Sequence, residues 1–138
     1  MKELARESFE FADSYLKTIT RVFLNRERRF DNDLLYNMIA ISFEKFMIGW
    51  LACYDEMATS HLPLMLYREL KPYEPELSEE IKRTAILIGS FEGICSIDDF
   101  GYKTPDNTQV ERMIEGLNEV RGLVTAKIEL LKESEPAL

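Results

Sequence analysis

The chain is punctuated very sparingly, and that limits what it can fold into. Prolines stand only at Pro63, Pro72, Pro75, Pro105 and Pro136, and glycines only at Gly49, Gly89, Gly93, Gly101, Gly116 and Gly122. Between these marks apolar residues return at three- and four-residue steps, which is the period of a helix and not of a strand. In the first segment Leu4, Phe11, Ala12, Tyr15, Leu16, Ile19, Val22 and Phe23 form one such stripe. The spacing predicts an amphipathic helix from about Lys2 to Arg29.

Asp31-Asn32-Asp33 supplies side chains able to cap a second helix, expected over about Asn32 to Met57. Its middle, Ile39 to Leu51, is apolar nearly all round, broken by Ser42, Glu44 and Lys45. A helix of that composition lies deep in a bundle. Pro63 is tolerated in a first helical turn, so a short helix is expected over about Leu64 to Leu70, broken by Lys71 to Pro75. Ser78, followed by Glu79 and Glu80, reads as the cap and acidic first turn of a third long helix running to about Ile97. Pro105 opens the last helix with Thr104 as its cap, and Val110, Ile114, Leu117, Val120, Val124, Ile128 and Leu131 mark its inner face. The tail from Glu133 is expected to fray.

The fold class read from this pattern is all-α. Four long helices joined by short connections pack most simply as an antiparallel up-down four-helix bundle, with the short extra helix between the second and third long ones. At 138 residues the whole chain, 1–138, suits a single domain. There is no internal repeat and no low-complexity segment.

Charge narrows the partners. With 25 acidic against 17 basic side chains the net charge is −8, and such a surface repels phosphate backbones and anionic lipid heads. General nucleic-acid binding and membrane association are therefore not expected. A local basic patch is conceivable where Arg21, Arg26, Arg28 and Arg29 cluster, although basic residues there also complement the negative end of a helix dipole. Cys53 and Cys95 sit in apolar runs without ligand-like or redox spacing, and read as two free, buried thiols. The charged start, Met1 to Glu7, has no apolar secretory core, and no uncharged run approaches the ~20 residues that span a bilayer. The expected compartment is the cytoplasm.

Several chemistries lack their residues. A di-iron bundle needs two Glu-x-x-His pairs, and the chain has one histidine, His61, with Ala58 three places before it. His61, Cys53 and Cys95 have no zinc spacing, no glycine precedes a Lys-Ser or Lys-Thr pair, and there is no Gly-x-Ser-x-Gly elbow. Neither metal nor cofactor is expected. Glu44 and Glu92 interrupt apolar helices, and a buried carboxylate must be paired, so each is expected to hold an Arg or Lys of a neighbouring helix or to line a pocket. Gly89 and Gly93 share a helix face and are expected to admit a close neighbour. His61 could work as an acid or base near neutral pH, or serve as a packed turn residue.

The stretch Ile41-Ser42-Phe43-Glu44-Lys45-Phe46, followed by His61-Leu62-Pro63-Leu64-Met65-Leu66, resembles the HEPN domain family of nucleotide-binding helical bundles. That family carries a Glu-Lys step in an apolar helix and, some fifteen residues later, a histidine before a leucine-rich short helix. The loop Asp99 to Pro105 resembles the family's Arg-Tyr-Pro loop, and the helix order fits over most of the chain. The departures are specific. Ile48 stands where the family commonly has a second lysine, and Gly101 replaces the loop arginine. The RNase members place an arginine shortly before their histidine, whereas here Tyr54, Asp55 and Glu56 occupy the places five to seven before His61.

The resemblance therefore implies the non-catalytic branch: a module that binds a nucleotide or a protein partner, accompanies nucleotidyltransferase-type proteins and forms homodimers. Phe9, Phe30 and Phe46 are candidates for an exposed apolar patch. The expected ligand residues are Lys45, His61, Tyr102 and Lys103, two cations and a histidine for phosphate and a ring for a base. Of these, Lys45, His61 and Tyr102 correspond to family positions. Two other readings stay open: a degenerate RNase or nucleotide-processing enzyme around His61, and a scaffold protein with an apolar face and no small ligand.

Overall fold

The structure is a computed structural model, and it describes residues 1–25, 31–91 and 103–133. Among the described residues there are five helices and no strand: α1 (Lys2–Leu24), α2 (Asn32–Ala52), α3 (Pro63–Leu70), α4 (Glu79–Gly89) and α5 (Asn107–Glu133).

Local chemistry sets the helix ends. Asp31 caps α2, its carboxylate accepting from the Leu34 N–H at 2.9 Å, and the Ser78 hydroxyl accepts from Ile81 N–H at 3.2 Å to start α4. The cap of α5 is Asp106 and not Thr104. Asp106 accepts from Gln109 N–H at 2.8 Å while the Gln109 side chain accepts from Asp106 N–H at 2.9 Å. This reciprocal capping box places Pro105 one residue outside the helix.

Three ends fall earlier than the periodicity suggests. α1 stops at Leu24, where Asn25 turns to extended backbone. α2 stops at Ala52 and not near Met57, because Asp55 takes a left-handed conformation, φ 59°. Glu56 N–H then bonds the Leu51 carbonyl at 3.1 Å and Asp55 N–H bonds that of Ala52 at 3.0 Å, which is a Schellman closure with aspartate where glycine is usual. α4 stops at Gly89: the Ser90 hydroxyl folds back to the Leu87 carbonyl at 2.7 Å and Phe91 N–H bonds Ile88 at 3.3 Å. The expected extension to Ile97, with Glu92, Gly93 and Cys95, lies outside the described residues.

α2 is the hub, in contact with each of the other four helices. Leu35, Ile39, Phe43, Phe46, Met47, Trp50 and Leu51 are buried along it and meet Ile19 of α1, Leu66 of α3, Ile81 and Ile88 of α4, and Leu117, Val120 and Val124 of α5 in one core. Each large side chain so buried stabilises the fold by roughly 1.5–3 kcal/mol relative to exposure. Polar ties fix the register: Ser42 donates to the Ala12 carbonyl at 2.9 Å, and the Tyr36 hydroxyl to that of Ile88 at 2.7 Å. The Asn32 amide joins the starts of α2 and α5 by donating to the Pro105 carbonyl and to Asn107 Oδ1, both at 2.9 Å.

Two glycines permit close approach, and neither is Gly89. A methyl at Gly49 would stand 3.1 Å from the Ala5 carbonyl oxygen, so α1 and α2 touch there backbone to backbone. A methyl at Gly116 would fall on the Thr84 side chain, which seats α4 against α5. Gly89 faces open space, contrary to the close packing expected of it, and Gly93 is not among the described residues.

α2 is long and apolar enough, by length and composition, to cross a membrane, and 56% of that apolar window is buried inside the protein. The unburied remainder forms an outward stripe. Leu34 and Ile41 are exposed, and Met38 and Ile48 are half-buried. Beside it on α1, Phe11, expected in the buried stripe, is 43% exposed and stacks on Tyr15 at 4.8 Å. The other phenylalanines considered for a patch lie elsewhere: Phe46 is fully buried, Phe9 packs on it at 5.8 Å, and Phe30 is outside the described residues.

Candidate functional site

Glu44 and His61 meet where α2 passes the start of α3. Pro63 begins α3, and the Ser60 hydroxyl accepts from Leu62 N–H at 3.1 Å, so the His61 backbone is held between two fixed points. Upstream, Thr59 is tied to the Glu69 carboxylate through its N–H at 2.9 Å and through its hydroxyl. His61 Nδ1 lies 2.7 Å from Glu44 Oε1. The imidazole is 91% exposed while the carboxylate is 26% exposed. Glu44 is thus paired as expected of a carboxylate in an apolar helix, but with the histidine and not with an Arg or Lys.

In the tautomer that donates Nδ1–H to the carboxylate, Nε2 of the exposed ring is a hydrogen-bond acceptor. Such an exposed contact contributes about 0–1 kcal/mol to stability. Lys45, one residue on, turns toward α1, its ammonium 5.5 Å from the centre of the Phe11 ring. Lys45 and His61 therefore flank Glu44.

Lys103 is elsewhere. It sits over the Phe91 ring at 5.5 Å, and that ring packs on Tyr36 at 5.6 Å. Tyr36 precedes Glu44 by eight residues, about 12 Å along the axis of α2. Tyr102 lies outside the described residues.

Among the described residues the most connected carboxylate is one that sequence reasoning did not single out. Glu74 Oε2 accepts from Trp50 Nε1 at 3.0 Å and from the Tyr54 hydroxyl at 2.7 Å, and stands 3.4 Å from Lys127 Nζ. Lys127 also lies 5.3 Å from the centre of the Tyr54 ring, which stacks on Tyr73 at 5.3 Å. The lysine is held above its ordinary range first by Tyr54 and, against its own burial, by Glu74. Cys53 is free and half-buried beside this node, and burial, aided by Glu74 and opposed by Lys127, pushes its thiol up to about 11. It is protonated and unreactive at neutral pH.

A second tie joins α1 to α5. Asp13 Oδ1 lies 2.5 Å from Arg121 Nε and its Oδ2 lies 3.3 Å from Lys17 Nζ. Burial works to raise the Asp13 carboxyl, but the bonds and charges of Arg121 and Lys17 outweigh it and hold the group below the usual carboxylate range. Neither His61 nor Lys45 lines the grooves at α4–α5, at α1–α5 or beside the α3 turn. Among the described residues no group of three His, Cys, Asp or Glu side chains is placed to hold a metal ion. Compared with protein-family models, with curated proteins and with solved structures, the chain has no match.

Proposed function

We propose that this chain is a non-catalytic, HEPN-like helical module, an antiparallel up-down bundle of α1, α2, α4 and α5 with α3 inserted, that works by binding a protein partner across the outer face of α2. One observation carries the reading. A helix apolar all round is normally covered all round, yet α2 leaves Leu34 and Ile41 exposed; Phe11 of α1, Leu62 before α3 and Met65 of α3 are exposed as well. A rimmed apolar surface of this kind marks an interaction site. The Glu44–His61 pair and Lys45 supply its polar groups. A second copy of the chain, or a nucleotidyltransferase-type protein in the cytoplasm, is the partner that the family resemblance suggests.

Sedimentation of the purified chain at micromolar concentration tests this. A dimer that becomes a monomer in Ile41→Lys, with the melting temperature kept, is the expected result. A wild-type monomer whose interaction with a co-purifying protein is insensitive to Ile41→Lys would remove the reading.

A nucleotide is the second ligand considered, on the strength of Lys45 and an exposed imidazole flanking one carboxylate. Lys45→Ala should then weaken nucleotide binding by calorimetry. RNA cleavage lost in His61→Ala, with folding intact, would instead favour the degenerate-RNase reading.

A further inference from the structure

The groove between α1 and α5 differs in charge from the protein around it. It is a shallow, open groove of about 400 Å³ lined by Asp13, Leu16, Lys17, Thr20 and Arg21 of α1 and by Asn118 and Arg121 of α5. Three cations face one carboxylate there, in a chain whose net charge is −8. Two other charged helix–helix grooves among the described residues do not show this. The α4–α5 groove has Glu80, Glu115 and Glu119 against Arg83 and Arg112, and the one at the far end of α5 has Arg6 and Lys132 against Glu10 and Glu129. Beside α3, Arg68 and Lys71 lie among ring and proline surfaces, and Lys71 is engaged with the Leu77 carbonyl at 3.1 Å.

We propose that the α1–α5 groove binds a compact phosphate-type anion, such as the pyrophosphate portion of a small phosphorylated molecule. Asp13 is the positioning residue. It takes Nε of Arg121 at 2.5 Å and the Lys17 ammonium at 3.3 Å. The terminal nitrogens of the Arg121 fork are left as bidentate donors, the geometry that phosphate oxygens accept. The guanidinium carbon lies 6.0 Å from the centre of the Phe9 ring. Lys17 and Arg21 follow Asp13 at successive four-residue steps on one face of α1, with the Thr20 hydroxyl beside them, while the buried Leu16 forms an apolar floor.

The negative end of the α1 dipole opposes an anion only within the last turn, where Arg21 offsets it. A small anion fits this setting better than a polyanion, because the acidic surface beyond the groove repels a long phosphate backbone. Asp13 and Lys17 lie about 200° round α1 from Phe11 and Tyr15. The site is therefore separate from the partner face and does not depend on it.

Calorimetry of the full chain with inorganic pyrophosphate, at low salt, tests the proposal. The wild type should bind, and Arg21→Gln and Lys17→Gln, both at exposed positions, should each bind roughly tenfold more weakly with unchanged melting temperatures. Arg121→Lys, which keeps the charge and loses the fork, should also weaken binding. Lys132→Gln, outside the groove, should leave it unchanged. No binding at millimolar pyrophosphate overturns the proposal, as does an equal loss in Lys132→Gln. Displacement of pyrophosphate by single-stranded RNA at far lower concentration would overturn it in favour of a polymer site.

Discussion

Glu74 and Glu44 are two carboxylates near the same helix with opposite commitments. Glu74 gathers Trp50, Tyr54 and Lys127 on one oxygen and so ties the end of α2, the turn after α3 and the C-terminal part of α5. Glu44 meets one ring, and that ring is almost wholly in solvent. A carboxylate with three donors from separate elements is committed to the fold, because moving it strands all three. One whose single partner is exposed can exchange that partner at little cost.

The sharpest way to break this contrast is Glu74→Ala. It should cost about 2–3 kcal/mol in urea unfolding, since Trp50 and Lys127 lose their acceptor in a part-buried setting; a loss under about 0.5 kcal/mol would place Glu74 in the same class as Glu44. Gly116→Ala tests whether α5 must seat closely for Lys127 to reach Glu74. The new methyl falls on Thr84, and a loss of about 1–3 kcal/mol is expected in the same assay.

Acid should weaken the other tie. Asp13 has a depressed value in the folded state, so its contribution is present above the unfolded value near pH 4 and is lost as pH falls through the lower folded one. A urea midpoint followed from neutral pH down to about pH 3 should fall less steeply in Asp13→Asn than in the wild type. Asp55→Gly should stabilise by about 0.5–1 kcal/mol, because glycine takes the left-handed closure of α2 without a Cβ penalty. The smallest effect belongs to His61→Ala, a change within about 0.5 kcal/mol. A larger loss there would erase the distinction between the two carboxylates.

The elements were legible wherever a local signal sets them. Asp31, Ser78 and Pro63 mark helix starts from their side chains alone, and the structure keeps all three. At α5 the proline cue points to Thr104, whereas the Asp106-x-x-Gln109 box two residues on sets the start. The end of α2 carries no glycine signal, because its left-handed residue is an aspartate, Asp55.

For the candidate site, the individual residues were visible and their pairing was not. Glu44 and His61 were both marked as unusual, but 17 residues and a helix end separate them, and no periodicity connects them. Glu74 sits between two prolines in a stretch that reads as an exposed turn, and Lys127 lies at the edge of the apolar face of α5, so neither announces a partly buried node. The electropositive groove exists only once α1 and α5 are side by side, since Arg121 is 108 residues from the carboxylate that positions it.

The place of α2 at the centre has a kinetic consequence. α1 and α2 are sequence neighbours in close contact, so they can form a hairpin of helices with little loop to close. The start of α5 reaches α2 through Asn32 across 73 residues, and that closure belongs to a later stage of folding. Substitutions in the α1–α2 seam, at Gly49 or Ser42, should therefore slow folding, whereas substitutions where α5 docks should mainly speed unfolding.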